Sequence, residues 1–139
     1  MKAITFLDTV HILALANWRD AYHARAVEAS QQHGGPYLTT EAVILEVADA
    51  LCRPDVRGAA VRALADLRAD PDVECLPMDA LLFEKGFELY RTRMDKGWSL
   101  TDCISFTVMR ERGVEAALTA DVHFVQAGFK ALLIGATVK

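Results

Sequence analysis

A chain of 139 residues and 15.3 kDa has room for one hydrophobic core and none for a second, so residues 1–139 are expected to form a single domain. With 53% hydrophobic and 24% charged residues, few prolines and no Ser/Gly-rich tract, the composition excludes a disordered chain. A net charge of −4 excludes a uniformly basic coat for nucleic acid while leaving room for a local basic rim.

The elements follow from periodicity and punctuation. Ala3 to Leu7 is a short apolar run of strand formers that stops at Asp8-Thr9, as a buried first strand does. Val10 to Ala16 starts a helix, and Asp20 to Gln32 carries Tyr22, Ala26 and Ala29 at helical spacing until Gly34-Gly35-Pro36 ends it. Tyr37-Leu38-Thr39 reads as a second strand, after which Thr40 caps an amphipathic helix from Ala42 to Leu51 that carries Glu46. Arg53-Pro54-Asp55 breaks the pattern, and Val56 to Ala69 resumes it up to the turn Asp70-Pro71-Asp72. Val73 to Pro77 is a third strand, placed near a sheet edge by its polar and proline neighbours. Asp79 caps a helix running to Arg93, and Asp95 to Trp98 is a loop. Ser99 or Thr101 caps the next helix, which carries Ile104, Phe106, Val108 and Met109 and stops at Gly113. Ala116 to Thr119 is a fourth strand, Asp121 to Gln126 a short helix, and Ala131 to Ile134 a last strand. Strands alternating with helices predict an α/β fold, a three-layer α/β/α sandwich around a central, mainly parallel sheet.

Four carboxylates stand out in this frame. Asp8, Asp102 and Asp121 lie where a strand ends or a helix begins, and Glu46 lies on a helix. Such positions converge at the carboxyl edge of a parallel sheet, where open α/β folds build their sites. A carboxylate cluster repels itself unless a cation is present, and oxygen ligands favour Mg²⁺ or Mn²⁺. The pattern therefore points to a metal-dependent enzyme acting on a phosphate ester. Thr9, Ser99 and Thr101 neighbour these acids and can bond to a carboxylate or a phosphate, or serve as caps alone. Asp49, one turn beyond Glu46, reads as an exposed partner of Arg53 at helical spacing, or else as a further member of the acidic site. Arg19, Arg25, Arg53, Arg57, Arg91, Arg93, Lys96, Arg110 and Arg112 offer a phosphate-binding rim, or else solvated ion pairs. Cys52, Cys75 and Cys103 lack a CxxC spacing, support neither a disulfide framework nor a zinc site, and read as small buried hydrophobes. The first residues do not form a secretory signal, and no apolar run approaches the roughly 20 residues of a membrane span. A cytoplasmic protein with no membrane association is expected.

The run Phe6-Leu7-Asp8-Thr9, the pair Thr39-Thr40 followed by Glu46, the block Trp98-Ser99-Leu100-Thr101-Asp102-Cys103, and Leu118 to Phe124 leading to Ala127-Gly128-Phe129 carry a family resemblance over nearly the whole chain. In this order the chain resembles the PIN-domain ribonucleases, especially the VapC-type toxins of toxin–antitoxin pairs. The resemblance implies a metal-dependent endoribonuclease in which Asp8, Asp102 and Asp121 hold Mg²⁺ or Mn²⁺ and Glu46 orients or deprotonates a water. Thr9, Ser99, Thr101 and His123 would position substrate, and cleavage would leave a 5′-phosphate and a 3′-hydroxyl. Many members carry a further acidic residue where this chain has His123, which bears on a second metal rather than on the first. The resemblance also implies a homodimer, an RNA substrate and a small antitoxin that covers the acidic site.

Other readings are weaker. A phosphoacceptor domain calls for a lysine that the Asp121 segment lacks, and a haloacid-type phosphatase for a DxD that Asp8-Thr9-Val10 does not supply. A catalytically silent PIN-like scaffold for RNA or protein is the remaining alternative. Trp98 is read as packing rather than stacking on a base, and Trp18, Tyr22, Val56, Val61 and Leu64 as core or as a partner surface.

Overall fold

The computed structural model describes residues 2–134. The apolar triplet of β1 (Thr5–Leu7) is buried throughout, which is what a central parallel strand requires. It pairs on one side with β2 (Tyr37–Thr40) and on the other with β4 (Ala116–Leu118). The sheet is completed by β3 (Val73–Leu76) outside β2 and β5 (Lys130–Ala131) outside β4, giving the order β3-β2-β1-β4-β5 with every pair parallel. The chain leaves β1 towards β2 but returns from β3 to β4 on the opposite side of β1. The carboxyl ends of β1 and β4 therefore flank the switch point at which this class of sheet opens a crevice.

Among the described residues seven helices join the strands. α1 (Thr9–Ala16), α2 (His23–Gln32) and α4 (Pro54–Ala69) pack together, as do α5 (Ala80–Thr92), α6 (Leu100–Arg112) and α7 (Val122–Gln126), while α3 (Glu41–Ala50) touches α1, α4 and α6. The expected α/β/α sandwich thus holds, with α3 bridging its two helical layers. Phe6, Leu38, Val43, Phe106, Leu118 and Phe124 are fully buried at its centre. Gly86 lets α5 lie directly on α6, since a Cβ there would fall 2.4 Å from Ile104 Cγ1.

Most predicted caps are in place. Thr40 accepts from the Val43 N–H, Asp79 from Leu82, and Gly113 ends α6 in the left-handed region at φ 66°. Ser99, not Thr101, caps α6, and Asp102 returns the bond to the Ser99 N–H in a capping box.

Four expectations need correction. The break expected at Arg53-Pro54-Asp55 does separate α3 from α4, but α4 begins at Pro54 rather than Val56, because the first turn needs no N–H donor. The helix expected from Asp20 begins at His23, since Asp20 closes a turn by accepting the Tyr22 N–H. The last strand covers Lys130–Ala131 and gives way to a turn before Ile134. Cys52 is exposed and Cys75 half-buried, so only Cys103 is a core thiol. Among the described residues no helix is long and apolar enough to cross a membrane.

Candidate active site

The register of β1 on β4 builds the floor of the crevice. Leu7 lies opposite Leu118, and the Asp8 N–H continues the ladder to the Leu118 carbonyl, which sets Asp8 beside Thr119. The Thr119 hydroxyl, itself fully buried, donates to Asp8 Oδ2 at 2.7 Å. The same oxygen accepts the Asp121 N–H at 3.0 Å. On the other side Thr39 donates to the Leu7 carbonyl at 2.8 Å, tying the end of β2 to the end of β1.

Asp121 caps α7 by accepting the His123 N–H. That turn carries the His123 ring back over the crevice, where Nδ1 lies 3.0 Å from Asp102 Oδ2 and 3.3 Å from Asp121 Oδ1. A ring nitrogen facing two carboxylate oxygens serves as an N–H donor. One ligand atom each from Asp102, Asp121 and His123 falls within a group 4.8 Å across. Asp8 is not in that group, but it is near enough to feel both aspartates. Burial first, and their charge second, push its carboxyl up to about 7, against the pull of the Thr119 hydrogen bond. Asp102 is also raised, first by burial and then by Asp121, with the Ser99 N–H and His123 opposing.

Glu46 sits half-buried on α3 and accepts the Thr9 hydroxyl through Oε1 at 2.5 Å. Since Thr9 follows Asp8 in sequence, this bond fastens the fourth acid to the first. The Ser99 hydroxyl is occupied by the Asp102 N–H, and Thr101 stands half-buried in the first turn of α6 with Asp102.

The oxygen-rich set suits a hard divalent cation. Two features of the molecule fit that reading: Asp8 resists ionisation without a counter-charge, and an N–H donor stands between Asp102 and Asp121 where a cation would neutralise both. Cys103 is no rival nucleophile, since burial pushes its thiol up to about 11.

Sequence reasoning did not single out Thr119. Its signal was a hydroxyl at the strand end two residues before an acid, which is legible only once the strand register is known. Asp49 is exposed, and Arg53 pairs with Asp55 instead. The arginine rim resolves into local partnerships. Arg91 pairs with Glu88, Arg93 and Lys96 with Asp95, and Arg112 with Glu74. Arg25, Arg57 and Arg110 donate to backbone carbonyls, and Arg19 lies over the Trp18 ring. Trp98 packs edge-on against Phe106 and donates to Gln126, as expected of a packing residue. Trp18 is 73% exposed and Val61 also lies outside the core, whereas Val56 and Leu64 are half-buried.

A parallel sheet that gathers carboxylates at the crevice between its two central carboxyl ends defines an acidic-cleft α/β domain. The chain belongs to the PIN-domain family, which matches residues 5–130. It is 32% identical over 124 residues to the 23S rRNA-specific endonuclease VapC20 of Mycobacterium tuberculosis, from strains CDC 1551 / Oshkosh and H37Rv. The match spans 89% of this chain and 94% of the relative. The crystal structure of M. tuberculosis VapC20, described as a Sarcin-Ricin loop cleaving toxin, is similar with a TM-score of 0.83 and 31% identity, over 91% of this chain and 96% of that one. VapBC2 from Rickettsia felis, bound to a DNA fragment from their promoter, shares the fold with a TM-score of 0.63 and 13% identity, over 92% and 96% of the two chains.

Proposed function

We propose that this PIN-domain chain is a metal-dependent endoribonuclease, the toxin of a toxin–antitoxin pair, working in the cytoplasm on RNA. The observation that carries the reading is the convergence of Asp102 and Asp121 beside Asp8 at the sheet crevice, in a chain 32% identical to a 23S rRNA-specific endonuclease. Asp8, Asp102 and Asp121 would hold Mg²⁺ or Mn²⁺. When bound, such an ion supplies charge neutralisation at the phosphate and an acidified water.

The chain's own residues supply the rest. Glu46 is the base, and because Thr9 occupies its Oε1, Oε2 is the atom that takes the proton from the attacking water. Ser99 holds Asp102 at the amino end of α6, where the helix dipole also favours the anionic phosphate. A bound cation would take over the neutralising role that the His123 N–H holds between Asp102 and Asp121, and His123 would then be available to the substrate. Thr101, in the first turn of α6, would contribute its hydroxyl to the phosphate.

An RNA carrying the sarcin–ricin loop is the substrate to test first. Cleavage is expected with Mn²⁺ or Mg²⁺ and none with EDTA. A folded, metal-loaded chain that cuts no RNA would instead favour the silent scaffold.

Two protein partners belong to this reading. For the antitoxin, the support is a largely apolar cavity of about 370 Å³ between α1 and α4, lined by Leu7, Ile12, Leu15 and Leu67, together with the exposed side chains of Trp18 and Val61. For the homodimer, it is the outer face of α5. Phe83, Phe87 and Tyr90 recur at steps of four and three residues along α5, the spacing of a coiled-coil seam, and all are exposed, with the exposed Met94 in the turn just past the helix. Phe87 stacks on Phe83 and Tyr90 with centroids 6.3 and 6.1 Å apart. An antiparallel pair of α5 helices would bring Glu84 opposite the partner's Arg91 twice, once on each side of the axis. Phe87→Glu is expected to convert a dimer to a monomer in sedimentation velocity with the fold unchanged. A variant that sediments with the wild-type dimer would remove α5 from the interface.

A further inference from the structure

We propose that Thr119 is a positioning residue for the cation site, an inference that rests on the metal-dependent reading above. Asp8 follows β1 and Asp121 lies beyond β4; the ladder bond from the Asp8 N–H to the Leu118 carbonyl registers the two strands, but what ties the Asp8 carboxylate to the backbone of Asp121 is Thr119. The Thr119 hydroxyl does so with both of its bonding directions, donating to Asp8 Oδ2 at 2.7 Å and accepting the Asp121 N–H at 3.0 Å. Thr119 is fully buried, so no water competes for either bond. The donation engages Oδ2 of Asp8 within the protein and leaves Oδ1 as the oxygen that would be offered to a cation. The acceptance pins the backbone of Asp121, and with it the turn that carries His123. One hydroxyl thereby sets the span between two acids from opposite ends of the sequence, as outer partners of metal ligands do elsewhere.

The role separates from packing because hydroxyl and methyl can be removed independently. Thr119→Val keeps the shape and loses both hydrogen bonds, while Thr119→Ser keeps the hydroxyl and loses a methyl. Mn²⁺ binding by the full chain, read from the electron paramagnetic resonance of free Mn²⁺, is expected to weaken about 10- to 100-fold in Thr119→Val. It is expected to stay within about threefold of wild type in Thr119→Ser, because the hydroxyl and its two bonds remain. Excess Mn²⁺ restores RNA cleavage by Thr119→Val, which a folding defect would not permit. Thr119→Ala serves the same purpose should the valine variant fail to fold.

Asp102→Asn locates the ion independently. If wild type binds Mn²⁺, Asp102→Asn does not, and Thr119→Val binds like wild type, the positioning role falls while the metal reading stands. Equal loss in Thr119→Ser and Thr119→Val would assign the effect to packing and overturn the proposal. A wild type that binds no Mn²⁺ overturns both.

Discussion

Asp102→Asn is expected to lower RNA cleavage by about 10³-fold or more while the fold persists, because the substitution removes a charge but keeps an acceptor. The Asp102 carboxylate does two things in the structure. It accepts the Ser99 N–H in the capping box, and it forms with Asp121 the pair of acids facing His123 Nδ1. An asparagine carbonyl can still accept from Ser99, so the loss of stability should stay within the cost of a weakened cap, about 1 kcal/mol or less. The charge on the cation side cannot be replaced by an amide. Thermal melts and cleavage assays on the same preparation separate the two, and activity within tenfold of wild type would remove Asp102 from the metal site.

The pH behaviour of Asp8 should be as large and runs against the usual direction for a carboxylate. Its carboxyl ionises near 3.8 when unfolded and at about 7 in the folded, metal-free chain, chiefly because it is buried. A raised folded value favours the protonated form. The stability it lends the metal-free protein is therefore complete below pH 3.8 and is lost as the pH rises through about 7, an effect on the order of a few kcal/mol. Asp8→Asn should flatten that slope and make the metal-free chain more stable than wild type above neutrality, while abolishing cleavage. Below about pH 7 a cation must displace the Asp8 proton, so apparent Mn²⁺ affinity should fall about tenfold per pH unit. Mn²⁺ titrations across neutrality with wild type and Asp8→Asn check this, and a pH-independent wild-type affinity would contradict the buried-carboxyl account.

The fold was largely legible because each element carries its own local signal. Thr40, Asp79 and Gly113 mark helix ends through chemistry that does not depend on the rest of the molecule. The start of α4 and the extent of the last strand were misplaced, the first because a proline suits both a break and the first turn of a helix. In the site, Asp8, Asp102 and Asp121 were visible as acids at element boundaries. Glu46 was singled out with them as an acid on a helix, but an acid on an amphipathic helix has no distinguishing pattern of its own, and its role at a water came with the resemblance. Thr119 and the placement of His123 stayed hidden for a further reason: each depends on strand register or on the turn made by Asp121, which no spacing in the chain encodes.

The pairing of Asp8 with Thr119 across 111 positions of sequence also bears on when during synthesis the crevice can first exist. The crevice needs β1 and β4 side by side, and β4 is among the last elements to be synthesised. A nascent chain that has emerged only as far as α5 holds Asp8 and Glu46, and one that has reached the end of α6 adds Asp102, but neither has Asp121 nor the strand that seats it. Such a chain has no competent centre however well its first half has folded. On the proposed toxin reading, order of synthesis would give the cell an interval, set by translation of the final elements, in which an antitoxin already at hand could meet the chain before it acts.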